Sequence, residues 1–290
     1  MEIVKATGVV AFSRILIATD FSTDSMRALP YALDLTQRYG SKLYIAHVVP
    51  ADVVVVAGSE QMANSLEREQ RDAEAKLGNL VESAISNGIQ CEPLLGTGDV
   101  GLVLKEFIGN HGVDLVVVGT VGRTGLNKVL LGSIAEELVR ECGCPVLTVC
   151  RRASDVETIH RTGILCPTDF SSESLEAVPY AVSLAEKYDC SLVMLHCLEG
   201  IPESPYVESQ LAKARLRDLV PDRLKAEVLV ELGSPAELIS DLVESRNFGL
   251  VVMGARGAGS FARARSHFGS IAHKVITRAP CPVLTVRKQK

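Results

Sequence analysis

The chain has 290 residues, 47% of them apolar and 22% charged, with no Trp and a formal net charge of −5. This composition excludes a disordered chain and demands an aliphatic core, the kind that fills parallel sheets covered by helices. The length suggests two domains, and because neither half is basic, nucleic acid is excluded as the main partner.

The elements follow in chain order. Arg14–Ala18 is a short apolar run ending in Thr19-Asp20, a buried strand. Ser22 to Tyr39 carries apolar residues at helical spacing and stops at Gly40, so one helix is expected there. Lys42–Val49 reads as a second strand, Ser59 to Asn87 as a long polar-rich helix and Gln90–Leu95 as a third strand. A helix over Val100–Asn110, a strand over Asp114–Val118, a helix over Ser133–Glu141 and a strand over Val146–Val149 complete the set. Strands alternating with helices at this length predict a parallel sheet with right-handed crossovers and helices on both faces.

The pattern then repeats. Residues 15–49 recur without gaps as residues 164–198, with Thr19-Asp20-Phe21-Ser22 answering Thr168-Asp169-Phe170-Ser171. Cys144-Pro145-Val146-Leu147-Thr148-Val149 recurs as Cys281-Pro282-Val283-Leu284-Thr285-Val286. A period this long is a duplicated domain, not a solenoid unit. The expected domains are 1–152 and 153–290, divided in the polar stretch after Cys150. In the second copy Pro202 and Pro205 replace the start of the long helix.

In open parallel sheets ligands sit at the carboxyl ends of the strands. After the fourth strand comes Gly119-Thr120-Val121-Gly122, and nine residues later Gly132-Ser133 opens a helix. Gly119 and Gly122 allow close approach of a ligand, and the helix N-terminus attracts anions. Ser133 adds a hydroxyl, and Arg123 and Lys128 add charge. An adenine nucleotide would lay its triphosphate here, while Asp20 could meet a ribose hydroxyl, a base amino group or a cation. The alternatives are a plain glycine connection capped by Ser133, and a helix cap at Asp20 or Ser22.

Other patterns carry less. Gly96-Thr97-Gly98-Asp99-Val100-Gly101 fits a dinucleotide fingerprint but follows the third strand, so a tight turn and helix start is expected. There is no P-loop lysine and no nucleophile elbow. His47 and His196 read as structural. No apolar run reaches the roughly 20 residues needed to span a bilayer, and the N-terminus lacks a secretory pattern, so a cytoplasmic chain is expected. The eight cysteines are then thiols. No zinc spacing occurs among them, and Cys142 reads as the more exposed and oxidisable one.

Strand-end T-D-F-S, H-V-V after the second strand, G-x2-G-x9-G-S and C-P-V-L-T-V together resemble the universal stress protein family, twice over. The resemblance implies two Rossmann-like (adenine nucleotide alpha hydrolase-like) α/β domains, each a five-stranded parallel sheet of order 3-2-1-4-5. It also implies ATP binding, often with a divalent cation such as Mg, and pairing through the last strand. Here the two last strands would pair within the chain as a pseudo-dimer, with a homodimer and an unidentified protein partner as further expectations. Carried over, Ala18, Asp20 and Val48 serve the adenine and ribose, and Gly119, Gly122, Gly132 and Ser133 the phosphates. Ala18 stands where family members often have Pro or Val. In the second copy Pro167, Asp169, Cys197, Gly254, Gly257, Gly269 and Ser270 correspond, but its loop is two residues longer and Arg-rich. No catalytic residue or metal ligand is assigned. The expected role is a nucleotide-binding regulator of stress response, the alternatives being a slow ATP hydrolase or phosphotransferase and a nucleotide-free scaffold.

Overall fold

The computed structural model describes residues 10–50, 59–120, 131–200, 203–224, 226–256 and 269–287. Gly122, Arg123, Lys128 and Gly257 lie outside the described residues. In the first half, β1 (Arg14–Ala18) leads through the short α1 (Thr23–Met26) into α2 (Leu29–Tyr39). Then follow β2 (Lys42–Pro50), α3 (Ser59–Ser86), β3 (Cys91–Gly98), α4 (Val100–His111), β4 (Leu115–Gly119), α5 (Ser133–Glu141) and β5 (Val146–Val149). Past α6 (Glu157–Thr162), the second half repeats the plan. It runs β6 (Ile164–Pro167), α7 (Ser172–Leu175), α8 (Val178–Tyr188), β7 (Leu192–Leu198), α9 (Pro205–Leu219) and β8 (Glu227–Leu232). It ends with α10 (Pro235–Arg246), β9 (Leu250–Gly254), α11 (Ser270–Arg278) and β10 (Val283–Val286).

Two details differ from the sequence expectation. The helix expected over Ser22–Tyr39 is two helices, because Pro30 in the first turn of α2 has no N–H to give the carbonyl one turn back. β3 runs on to Gly98 because β2 continues beside it, pairing Val48 with Gly96 and Pro50 with Gly98. α9 has 15 residues against 28 in α3, in keeping with its proline-marked start.

All strands join one ten-stranded sheet of order β3-β2-β1-β4-β5-β10-β9-β6-β7-β8. Each half is parallel and ordered 3-2-1-4-5, and the halves meet where β5 and β10 pair antiparallel, Leu147 opposite Leu284. Both last-strand edges are therefore consumed within the chain, which removes two edges open to pairing with other molecules. Side chains alternate across the sheet. Ile15, Ile17, Leu115 and Val117 enter the core with α2, α3, α8 and α9, whereas Leu16, Val116 and Val118 enter the core with α4, α5, α10 and α11. Both cores run through the two halves without interruption.

Across the seam, α2 and α8 meet by an approximate two-fold rule, as a self-complementary interface does. Tyr188 donates its hydroxyl to Asp34 at 2.6 Å, and at the matching place Tyr39 hydrogen-bonds Ser183 at 3.1 Å. The Arg38 guanidinium lies 4.2 Å from the Tyr188 ring centre, and the Lys187 ammonium 5.2 Å from that of Tyr39. Tyr31 also donates to the Ser154 carbonyl in the connection between the halves.

Candidate functional site

In each half the strand order reverses between the first and fourth strands, so the crevice expected of an open α/β sheet lies at their carboxyl ends. Ala18 ends β1, buried between Ala46 of β2 and Val118 of β4. Asp20 follows in a turn held by its own side chains. The Thr19 hydroxyl accepts from Phe21 N–H at 2.9 Å, and the Asp20 carboxylate accepts from Ser22 N–H at 2.9 Å. Ser22, not Asp20, caps α1, accepting from Ser25 N–H at 3.2 Å. The second half repeats the turn bond for bond with Thr168, Asp169, Ser171 and Ser174.

This turn forces an uncommon backbone. Phe21 and Phe170 stand at φ of 60° and 59°, a region non-glycine residues seldom occupy. Each ring rests on a histidine, Phe21 on His47 with centres 4.4 Å apart and Phe170 on His196 at 4.5 Å. A cation lies near each ring as well, Lys76 at 5.4 Å and Arg215 at 3.9 Å. The histidines are anchored in turn, donating Nδ1–H to the carbonyls of Thr19 and Thr168 at 2.8 Å each. Sequence reasoning missed the role of the two phenylalanines, although their recurrence at the same place in both copies was the available signal.

Beside the turn, Gly132 precedes α5 and Gly269 precedes α11; both glycines are extended, and among the described residues neither helix start has a side-chain cap. Gly132 N–H bonds the Thr120 carbonyl at 2.7 Å and Gly269 N–H the Ala255 carbonyl at 3.1 Å, tying each helix start to the end of its strand. Ser133 and Ser270 are the first helical residues and are not caps. Each helix N-terminus is thus directed at the carboxyl edge with its positive dipole end. Gly119 has a packing reason of its own. A Cβ there would lie 2.9 Å from the Ser25 Cα, so α1 presses directly on the end of β4; Gly254 meets Ser174 of α7 at the same 2.9 Å.

The halves differ in how far the crevice is zipped. β1 pairs β4 from Ile15 through Ala18, four positions, whereas β6 pairs β9 at Ile164 and Leu165, two positions. Hydrogen-bond parity supplies the cause. Thr19 N–H points to β2 and the Arg14 carbonyl to β4, so the N–H of Ala18 faces β4. Thr168 N–H likewise points to β7 and the Gly163 carbonyl to β9. Pro167 therefore turns a nitrogen without hydrogen toward β9, and the ladder ends.

The model of the universal stress protein family matches residues 11–149 and again residues 161–287. The chain belongs to the universal stress protein family. It is 31% identical over 144 residues to a universal stress protein of Methanocaldococcus jannaschii, covering 44% of this chain and 82% of that protein. A Thermus aquaticus universal stress protein is 32% identical over 136 residues, covering 43% and 97%. A universal stress protein structure from Archaeoglobus fulgidus superposes with a TM-score of 0.74 at 22% identity, covering 97% of this chain and 98% of that one, so the likeness of fold extends over both halves.

Val48 is buried in β2 beside Gly96 of β3, and its counterpart Cys197 is half-buried in β7 beside Glu231 of β8. Burial, with Glu199 and Glu231 nearby, pushes the Cys197 thiol up to about 12, so it stays protonated at neutral pH. The run from Gly96 to Gly101 is no phosphate loop. Gly96 and Gly98 extend β3, Asp99 caps α4 by accepting from Leu102 N–H at 2.9 Å, and Gly101 lies inside α4. Cys142 corrects the sequence reading, which had it exposed. It is 3% exposed, because its extended backbone at the end of α5 turns the side chain into the core beside Leu138 and Val146.

Proposed function

We propose that the protein binds an adenine nucleotide, ATP with a divalent cation, at the crevice of its first half, and that occupancy regulates its behaviour in a stress response. The observation that carries this reading is the N-terminus of α5, without a side-chain cap among the described residues, at the carboxyl edge of the sheet beside the turn that presents Asp20. That donor set fits a triphosphate: helix N–H groups and the Ser133 hydroxyl donate, and the dipole favours negative charge. Bound ATP would supply phosphoryl groups and a polyanion. Gly132 and Ser133 would hold the phosphates, while Ala18 and Val48 would give the base an apolar wall. Asp20 would accept from the ribose or share the cation with phosphate oxygens, since Mg needs few protein carboxylates when phosphates contribute.

The second half offers the corresponding set in Pro167, Asp169, Cys197, Gly254, Gly269 and Ser270. Regulation would arise from unequal affinity of the nucleotide for two conformations. Binding fits this site better than turnover, because the sequence holds no G-x4-G-K-[ST] run to set a lysine against the β- and γ-phosphates.

Calorimetric titration of the full chain with Mg-ATP tests the proposal. Wild type is expected to bind, and Gly132→Glu, which sets a carboxylate at the helix start, to bind at least tenfold more weakly. A wild type that takes up no nucleotide, or a variant that binds as wild type does, overturns it.

A further inference from the structure

The nucleotide reading leaves seven of the eight cysteines without a role. Two of these meet: the Sγ atoms of Cys142 and Cys144 are 3.9 Å apart, in the bend that joins α5 to β5. Both side chains are buried, yet the residue between them, Gly143, is exposed. A Cβ placed on Gly143 would meet nothing within 4 Å, so the outer side of the bend is open. A disulfide needs the sulfurs to close to about 2.05 Å. The second half has no such pair, because Ala279 stands where the first half has Cys142, while Cys281 keeps the place of Cys144.

We propose that Cys142 and Cys144 form a dithiol site that reduces a hydroperoxide and closes a disulfide across Gly143. The Cys142 thiolate attacks the terminal peroxide oxygen and the O–O bond breaks. Cys142 becomes a sulfenic acid, and the departing alkoxide or hydroxide takes up the proton the thiol gave away. The Cys144 sulfur then attacks the Cys142 sulfur, the S–O bond breaks, and hydroxide leaves with the Cys144 proton as water. The peroxide gains two electrons and the two thiols lose them, and an external dithiol restores the pair by exchange.

The surroundings divide the labour between the two sulfurs. A hydrogen bond from Cys144 holds the Cys142 thiol below its ordinary range against burial, helped by the Cys144 and Gly143 backbone and by Arg287 from the end of β10. The same contact and burial push Cys144 up, suiting it to keep its proton until the second step. Burial pushes up Cys91, Cys150, Cys166, Cys190, Cys197 and Cys281, which makes Cys142 the better nucleophile.

The test treats the folded full-length protein with stoichiometric hydrogen peroxide, alkylates the remaining thiols and reads tryptic peptides by mass spectrometry. Cleavage after Arg140 and Arg151 leaves Cys142, Cys144 and Cys150 on one peptide, so a Cys150→Ser background is used beside wild type. The expected result is a loss of two hydrogens from that peptide, reversed by dithiothreitol, while Cys166 and Cys281 remain alkylated. Cys144→Ser is expected to stop at a sulfenic acid on Cys142 that dimedone traps. The proposal is overturned if the folded protein leaves Cys142 and Cys144 fully alkylated, if they oxidise only in denaturant, or if the bond joins either to a different cysteine. Nucleotide binding does not enter this readout, so the two proposals stand or fall separately.

Discussion

The first and second halves share a strand order, a T-D-F-S turn and a Gly-Ser helix start, yet their inner ladders run to different depths. In the first half the ladder between the inner strands runs to Ala18; in the second it stops at Leu165. One residue type accounts for this. Proline at position 167 removes a donor that alanine at position 18 retains, and that donor faces the strand across the crevice. The lesson is that a duplicated site can diverge through backbone chemistry alone, while every polar side chain of the turn stays in place.

The largest expected effect tests what the halves share. Gly119→Val and Gly254→Val would each drive a side chain into the backbone of α1 or α7, and overpacking of this kind costs about 3 kcal/mol. Urea unfolding should register a similar loss for both. If either variant is as stable as wild type, the close approach at 2.9 Å is not a shared constraint.

Next comes the seam, where the halves are matched but not equal. Tyr188 donates to a carboxylate and Tyr39 to a hydroxyl. Tyr188→Phe is therefore expected to lose about 1.5–3 kcal/mol and Tyr39→Phe about 0.5–1.5; equal losses would erase the asymmetry. Alkaline titration sharpens the same point. Burial and the Asp34 carboxylate raise the Tyr188 phenol above its usual value, and burial raises Tyr31 likewise. Both phenols stay protonated in the folded chain after unfolded tyrosines have ionised near pH 10. Their contribution is complete below that pH and is lost as pH rises beyond it, so the fall in stability followed by circular dichroism should be shallower in Tyr188→Phe.

The smallest effect separates the crevices themselves. Ala18→Pro should shorten the first ladder at a cost of about 1 kcal/mol, with faster hydrogen exchange at the carboxyl end of β4. Pro167→Ala should slow exchange at the end of β9. If crevice depth governs ligand entry, Ala18→Pro strengthens Mg-ATP binding at the first site. Unchanged exchange in both variants would show that proline is not what parts β6 from β9.

Much of this was legible in residues. β5, β10 and α5 fall where the apolar runs and the Gly-Ser step place them, because short β-branched runs and a glycine helix start are local signals. The split between α1 and α2 was also written in Pro30, but periodicity across the break concealed it. The left-handed phenylalanines were not legible, since neither φ nor the histidine beneath each ring leaves a mark on composition. Cys142 was misread because solvent exposure at a helix end depends on how the chain leaves the helix.

By itself the sequence determined two copies of one strand–helix plan, parallel strands within each, and the turn and helix start that frame the candidate site; the strand order came from the family resemblance. These rest on local propensity and on a recurrence without gaps. The family resemblance already implied that the two last strands pair within the chain; the tertiary structure decided the antiparallel register, Leu147 opposite Leu284, and that both cores run through the seam. It alone also decided that Cys142 and Cys144 meet in the core, and that Pro167 ends the β6–β9 ladder. The physical reason is common to all three: whether a strand edge, a thiol or a missing N–H matters depends on what faces it, and facing is settled only when distant segments pack.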